Sequence, residues 1–341
     1  MRGVLRRRET ALALIVAGLT AAITARAPVF LSAGSLDTLV TDGAILAIMA
    51  LAQMLALLTR GIDLSIAANM ALTGMLMALL SKAHPDLPVG LTILLSVGSG
   101  LVLGATNGAF VALLEMPPIV VTLATMSVYR GLVFWSSDGG WVNAHELGAE
   151  FVAFPNERML GLTHIVWIAA LVVALDALFL RRMRRGRELY ALGGNPAAAR
   201  YVGIDAARLQ LLVYSVTGAL GGLCGYLWVA RYAVAYTETA LGFEMQTIAA
   251  CVIGGVSIAG GRGTITGCLL GVAFLVILLN ALPIIDVSPF WHMAISGTAI
   301  LVAVILNSRS ERRRGKLILA GRAGAGVGAG ASAGGGAEER R

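Results

Sequence analysis

The charged residues that interrupt the apolar runs of this chain are the groups that could do chemistry. Arg60 and Asp63 stand between two apolar runs, Arg130 lies inside another, and Asp176 lies about one turn before the arginine cluster at 181–187. A buried charge without a partner is costly, so each predicts an ion pair, a snorkelling side chain or a functional site. We interpret Asp63 as a helix N-cap paired with Arg60, and we expect Asp176 to snorkel. For Arg130 three roles stay open: its side chain snorkels, pairs with an acidic residue, or faces the pathway of a solute.

The residue patterns that carry catalysis or nucleotide binding are absent from the sequence. It has no Gly-x-x-x-x-Gly-Lys-Ser/Thr loop for nucleotide phosphates, no His-Glu-x-x-His and no Gly-x-Ser-x-Gly. The histidines and cysteines are scattered without metal-ligand spacing: His84, His145, His164, His292, Cys224, Cys251 and Cys268. The sequence therefore predicts no enzyme, no metal site and no cofactor of its own, and any ATP must be bound by a partner.

The composition is that of a membrane protein. Of 341 residues, 57% are hydrophobic and 13% are charged, whereas soluble domains carry about 25% charged residues. The net charge of +7 could indicate nucleic acid or anionic lipid, but the basic residues stand at the ends of apolar runs, where membrane topology places them. We predict a lipid bilayer, and no nucleic acid, as a partner.

Ten apolar runs are long enough to suggest membrane spans, since about 20 residues cross a bilayer core of about 30 Å. They lie near residues 10–27, 39–59, 62–80, 88–114, 117–136, 162–180, 209–229, 246–260, 264–282 and 288–306. The run at 246–260 is short, and glycine pairs at 254–255 and 260–261 could break it. The sequence predicts an all-α, polytopic transmembrane helix bundle.

The distribution of basic residues predicts the orientation of this bundle. If the N-terminus is cytoplasmic, most Lys and Arg fall on the cytoplasmic side, together with the C-terminus. The first run imitates a signal peptide, but Pro28 directly after the would-be cleavage site favours an uncleaved span. We therefore expect a transmembrane domain over 1–306 with a cytoplasmic loop at 181–208, and a disordered Gly/Ala-rich cytoplasmic tail over 307–341.

A polar, basic island at 181–210 contains the signals of a short helix. Asn195 can accept a hydrogen bond as an N-cap, and Pro196 suits the first helical position before Ala197, Ala198 and Ala199. Such a helix in the largest cytoplasmic loop is suited to present a surface to another protein. The alternative is a solvated loop that only fixes topology.

Glycines at intervals of four residues predict close helix packing in three spans. Small residues at this spacing line one helix face and allow two backbones to approach. The fourth and ninth spans carry the longest series, which comprises Gly100, Gly104 and Gly108, and Gly263, Gly267 and Gly271. Gly218 and Gly222 repeat the spacing in the seventh. Since the fourth and ninth spans hold the same place in each half of the chain, they hint at an internal repeat.

Four strings in this chain resemble the ribose-type permease subunits of bacterial ABC importers, in the order of that family. They are TRGIDLS (59–65), MPPIVVTLATMSVYRGL (116–132), GRELYALGGNPAAARYVGI (186–204) and IAACVIGGVSIAGGRGTITG (248–267). In that family the long cytoplasmic loop holds a coupling helix that docks on a separate ATP-hydrolysing subunit. The resemblance assigns this role to Gly186, Tyr190, Gly193, Gly194, Asn195, Pro196, Ala198 and Arg200. The chain departs from the family at 66–69, where it reads Ile-Ala-Ala-Asn instead of beginning Val-Gly-Ser.

The resemblance also implies an assembly in the bacterial cytoplasmic (inner) membrane. Two permeases, identical or paralogous, would form the pathway of a monosaccharide or sugar-like solute, with ATP-binding subunits inside and a secreted or periplasmic sugar-binding protein outside. The expected fold is that of the vitamin-importer (type II) permeases. Candidates for the pathway or for contact with the binding protein are Arg130, Trp141, Asn143 and Glu244, although interfacial anchoring explains Trp141 equally well.

One rival function belongs to a different class. A secondary transporter driven by an ion gradient would also be a polytopic bundle for a small polar solute. It would favour acidic residues or histidines near the middle of the membrane, and the sequence has no convincing acid there. The identity of the solute, and whether the permeases are identical, stay open.

Overall fold

The computed structural model describes residues 2–284 and, beyond them, residues 291, 294, 297, 298 and 301. Twelve α-helices are described in full: α1 Arg2–Arg26, α2 Ala33–Leu58, α3 Ile66–Ala83, α4 Val89–Leu113, α5 Pro118–Ser137, α6 Ala149–Asn156, α7 His164–Arg182, α8 Arg184–Gly194, α9 Pro196–Tyr201, α10 Ala206–Tyr232, α11 Phe243–Ile253 and α12 Ile265–Ile284. Short 3₁₀ turns cover Pro28–Leu31 and Ala144–Glu146, and strands β1 (Arg158–Met159) and β2 (Leu162–Thr163) pair antiparallel.

The predicted all-α membrane bundle is confirmed. Within the described part of the chain, eight helices are long and apolar enough to cross a membrane, namely α1, α2, α3, α4, α5, α7, α10 and α12. Each corresponds to one predicted span. The predicted tail at 307–341 lies outside the described residues, as does most of the tenth predicted span at 288–306.

The predicted span at 246–260 is shorter than expected. Helix α11 has 11 residues and ends at Ile253, so it rises about 16 Å, roughly half of a bilayer core. The glycine pairs interrupt it: Gly254 is the C-cap, and Gly255, Gly260 and Gly261 have positive φ angles, which glycine adopts without strain. The segment after α11 therefore runs as an irregular loop to α12.

Helices α2, α3 and α10 form the centre of the bundle. The second half of α2 is continuously buried, and α10 packs against α2, α3 and α4. Helices α4, α5 and α7 each expose a large apolar face. This distribution is expected of a membrane bundle, because lipid solvates apolar side chains as well as the protein interior does.

Glycines bring the backbones of α4 and α10 together. A Cβ atom added to Gly100 would lie 2.3 Å from the carbonyl oxygen of Gly218, and one added to Gly104 would lie 2.2 Å from that of Tyr214. Asn69 in α3 donates from Nδ2 to the carbonyls of Gly100 (3.2 Å) and Gly218 (3.3 Å). Asn69 thus ties α3, α4 and α10 together.

The second glycine series packs differently from the first. Gly267 and Gly271 face α11, where added Cβ atoms would lie 2.3 Å from the carbonyl oxygen of Gly254 and 2.0 Å from that of Ala250. Gly263 precedes α12 and lies in the loop, so the expectation that it belongs to the helix face is wrong. A Cβ atom there would lie 3.2 Å from the Val256 side chain, within the same loop.

The contacts between helices follow the pattern that an internal repeat would produce. Helix α4 packs against α10, and α12 packs against α2. Helix α3 contacts both α4 and α10, while α11 contacts both α12 and α2. Exchanging α2, α3 and α4 with α10, α11 and α12 therefore preserves these contacts.

The α4–α10 contact leads to a stability prediction. Gly104→Val would drive a branched side chain into the backbone of α10, and overpacking of this kind costs about 3 kcal/mol. We expect the detergent-purified variant to lose its monodisperse peak at a lower temperature than the unchanged chain. Gly98→Val in the same helix is the matched control, because a Cβ atom at Gly98 meets nothing within 4 Å. Equal melting of the two variants would contradict the packing role.

Candidate functional site

The basic island forms two consecutive helices, of which the sequence predicted only the second. Helix α8 buries Leu189 and Leu192 on one face and exposes Arg184, which pairs with Glu188 at 2.7 Å. Gly186 allows α8 to fold back on α7, because a Cβ atom there would lie 2.2 Å from the carbonyl oxygen of Phe179. The island is thus packed against the bundle and is not a freely solvated loop.

The predicted cap of the second helix is present. Asn195 has an extended backbone, and its side chain accepts a hydrogen bond of 3.1 Å from the amide of Ala198. Pro196 occupies the first position of α9, where its missing N–H costs nothing. Ala199 faces the protein, whereas Ala198 and Arg200 are exposed. Helix α9 therefore presents a face of small side chains.

Two large exposed side chains follow this face, and neither is predicted from the sequence. Tyr201 is 93% exposed and Val202 is 75% exposed. An aromatic residue at such exposure, outside the apolar spans, is typical of an anchor in a protein interface. Beside α9 lies a cleft of about 420 Å³, whose lining includes Glu115, Pro117, Arg200 and Gln210. Small, aromatic and charged groups are thereby combined on one surface.

Helix α8 is attached to the bundle where three segments meet, which we call the three-segment junction. Its segments are residues 58–60 at the end of α2, 190–194 of α8, and 260–263 of the loop before α12. The amide of Gly261 donates to the carbonyl of Leu58 at 3.0 Å. A Cβ atom at Gly193 would lie 1.8 Å from that carbonyl oxygen and 2.5 Å from the Gly261 nitrogen. Only glycine fits between them.

Side chains complete the three-segment junction. Arg60 donates from Nε to the carbonyl of Gly193 (2.7 Å) and from a terminal nitrogen to that of Gly194 (3.1 Å). The hydroxyl of Tyr190 donates to the carbonyl of Gly263 at 3.1 Å, and burial raises the pKa of this hydroxyl, so it stays a donor at neutral pH. Hydrogen bonds therefore connect α8 directly to the segment that follows α2 and to the one that precedes α12.

The predicted pairing of Asp63 with Arg60 is wrong. Asp63 instead accepts from the amide (2.9 Å) and hydroxyl (2.7 Å) of Ser65, and Ser65 is the N-cap of α3. Arg60 is drawn to α8 because the last carbonyls of a helix carry partial negative charge. Asp63 also approaches Thr217 in α10 at 3.4 Å, so it links the start of α3 to the centre of the bundle.

The snorkelling predicted for Asp176 is also wrong. Its side chain is buried, and within the described residues its Oδ2 atom has no hydrogen-bond partner. The reason is its position on α7: it faces the bundle, whereas the arginines of the next turn lie at the exposed end of the helix.

At the opposite end of the bundle, the candidate residues Arg130 and Glu244 lie close together. Arg130 donates to the carbonyl of Thr239 at 2.6 Å and lies within electrostatic range of Glu238 and Glu244. The structure therefore favours an acidic environment for Arg130 over snorkelling. Residues 235–244, which include Thr239 and Glu244, also contact Trp141. Its ring packs on that of Tyr236 with centroids 5.2 Å apart, and Trp141 remains 60% exposed.

Asn143 is engaged in the structure of its own loop. Its backbone N–H donates to Glu146 Oε2 at 2.9 Å, while Lys82 pairs with Glu146 Oε1 at 2.6 Å. The backbone hydrogen bond from Asn143, and then the Lys82 ammonium, lower the pKa of Glu146 to about 2. These contacts fasten the loop after α5 to the end of α3.

Comparisons with known proteins identify the family. The model of the family described as "Branched-chain amino acid transport system / permease component" matches residues 35–304, which is most of the chain. The chain belongs to this permease family. It is also 34% identical to the ribose import permease protein RbsC of Escherichia coli (strain K12) over 309 residues, covering 90% of this chain and 95% of the relative.

A second relative points to the same class. The autoinducer 2 import system permease protein LsrC of Shigella flexneri is 32% identical over 280 residues, covering 82% of this chain and 81% of the relative. No solved structure matches the chain. The chain is therefore a transport permease of ABC-importer type rather than an enzyme, and a multi-pass protein of the inner membrane. The permease match begins after α1 and includes both α8 and the loop at 254–264.

Proposed function

We propose that this chain is the membrane-spanning subunit of an ATP-driven importer for a monosaccharide or a sugar-like solute. Two copies, or one copy with a paralogue, form the pathway between them. The named relatives import ribose and autoinducer 2, and the sequence similarity covers most of each protein. The chain has no phosphate-binding loop, so a separate subunit binds and hydrolyses ATP.

The observation that carries this proposal is the construction of α8 and α9. Helix α9 offers Ala198 and the exposed Tyr201 to a partner, while α8 is fixed to the segments that adjoin α2 and α12. A partner that moves α9 therefore moves helices at the centre of the bundle. Alternating access requires such a link between hydrolysis and helix reorientation.

The cluster of Arg130, Glu244 and Trp141 is the proposed contact for a secreted solute-binding protein. It lies at the other end of α5 from Pro118, and it combines an exposed indole with charges of both signs. Asn143 contributes by holding the adjoining loop in shape. We propose further that α8, α9 and both termini lie on the cytoplasmic side, which agrees with the excess of basic residues that the sequence predicts there.

Reconstitution tests the proposed function directly. We expect the purified chain to hydrolyse no ATP alone, and hydrolysis to appear when the ATP-binding subunit encoded with it is added. Solute-loaded binding protein should raise the rate of hydrolysis further. Proteoliposomes should import solute only when ATP is present on the side of the bilayer that carries the ATP-binding subunit.

Two results would contradict this function. Hydrolysis by the chain alone, free of contaminants, would remove the need for a partner. Uptake that persists without ATP and collapses when a proton or sodium gradient is dissipated would instead identify an ion-driven transporter.

A further inference from the structure

Arg60 adopts a backbone conformation that arginine rarely takes. Its φ angle is +66°, in the left-handed region, which strains a residue with a Cβ atom but not glycine. Residues 59 and 60 follow α2 directly, and Gly61 follows Arg60. A glycine at position 60 would make the same turn without strain, so the turn itself gives no reason for an arginine.

The Arg60 side chain supplies the reason. Its guanidinium donates to two consecutive carbonyls, those of Gly193 (2.7 Å) and Gly194 (3.1 Å), which are the last two residues of α8. These carbonyls have no partner within the helix and carry the negative end of its dipole, so a planar cation with several donors suits them. The aliphatic stem packs on Gly260, where an added Cβ atom would lie 2.4 Å from Arg60 Cγ.

One side chain thus touches all three segments of the three-segment junction. Four arginines of the basic island make contacts that stay within it: Arg184 and Arg185 pair with Glu188, Arg187 donates to the carbonyl of Arg182, and Arg208 pairs with Asp205. Arg60 is different because its partners are more than 130 positions away in sequence.

We propose that Arg60 is a positioning residue that transmits displacement of α8 and α9 to α2 and to the loop before α12. This inference rests on the proposed function, in which a partner moves α9. Because the bonds run from the end of α2 to the end of α8, a shift of α8 pulls on α2 directly. Without Arg60 the partner would still dock on α9 and Tyr190 would still contact the loop before α12, but the two hydrogen bonds from the turn after α2 to the end of α8 would be lost.

The first test uses the purified chain alone and does not depend on any partner. Arg60→Gly removes the side chain and also relieves the backbone strain, so a loss cannot be attributed to a strained turn. We expect amide hydrogen exchange over 190–195 to rise at least tenfold, because the α8 end is no longer held. Arg208→Ala, which removes an exposed and local ion pair, is the matched control and should leave this exchange unchanged. Unchanged exchange in Arg60→Gly would overturn the proposal.

The second test uses the assembled importer in proteoliposomes. With Arg60→Gly, we expect the ATP-binding subunit to co-purify and hydrolyse ATP, while solute uptake per ATP falls at least tenfold. Arg60→Lys keeps the charge but can reach only one of the two carbonyls at a time. Its uptake per ATP should therefore lie between that of the unchanged chain and that of Arg60→Gly. Normal uptake per ATP by Arg60→Gly would overturn the proposal. Failure of the unchanged chain to bind the subunit would instead contradict the proposed function, while the exchange experiment would still decide the role of Arg60.

Discussion

Ala198→Glu is expected to abolish solute uptake and co-purification of the ATP-binding subunit. Ala198 is exposed on α9, next to the Asn195 cap, and the proposed docking surface accommodates a small side chain there. A glutamate would bring an unpaired carboxylate into a buried interface, which costs about 3 kcal/mol or more and weakens docking by more than about 100-fold. Uptake by whole cells and affinity purification from membranes measure the two effects.

Ala198→Ser is the matched control for this experiment, because it keeps the side chain small and uncharged. We expect this variant to bind the subunit and to import solute at nearly the normal rate. Both variants should insert into the membrane in equal amounts, since position 198 lies outside the apolar spans and its side chain is exposed. If Ala198→Glu retains both uptake and co-purification, α8 and α9 only fix topology and the alternative interpretation of the basic island is right.

The parts of the site that the sequence revealed depend on neighbours along the chain. The Asn195 cap acts on the amide three residues later, and Pro196 acts through its own ring, so both were visible in the sequence. The apolar spans were visible for a similar reason, since each length follows from consecutive residues. Even the interruption of the span at 246–260 was indicated by its glycines, although α11 proved shorter than expected.

The parts that the sequence missed depend on distant neighbours. Arg60 has Asp63 three residues away, and local reasoning therefore paired them, whereas its true partners are the carbonyls of Gly193 and Gly194. Every residue has a backbone carbonyl, so the residue types do not show which carbonyl a side chain will contact. Helix α8 was missed because its first five residues are charged or glycine, and its apolar side matters only once Leu189 and Leu192 meet the bundle.

Arg130 shows how the fold decides between open alternatives. The sequence allowed snorkelling, an acidic partner or a pathway position, and all three were physically reasonable. The bond to Thr239 and the nearby Glu244 arise because the segment after α10 returns over the end of α5.

The exposure of Tyr201 likewise became informative only when the surface was known, because an isolated tyrosine in a basic loop predicts little.

Gly193→Ala is expected to disconnect α8 from the bundle, with the largest effect of any single methyl group in this region. The new Cβ atom would lie 1.8 Å from the carbonyl oxygen of Leu58, which belongs to the backbone and cannot rotate away. Helix α8 must then shift, and the contacts of Arg60 and Tyr190 are broken together. We expect thermal stability to drop, since overpacking against backbone costs about 2–3 kcal/mol. Uptake should fall about 100-fold, because about 1.4 kcal/mol changes an equilibrium tenfold and this cost disfavours the connected position of α8.

Gly194→Ala is a control of the same chemistry one residue away. A Cβ atom at Gly194 meets nothing within 4 Å, and alanine favours a helix more than glycine does, by up to about 1 kcal/mol. This variant should therefore transport normally and melt at the same or a higher temperature. Equal behaviour of the two variants would mean that the contact between α8 and the end of α2 has no role in transport. A defect confined to Gly193→Ala locates the mechanical link at the three-segment junction, because the two substitutions differ only in what the methyl group meets.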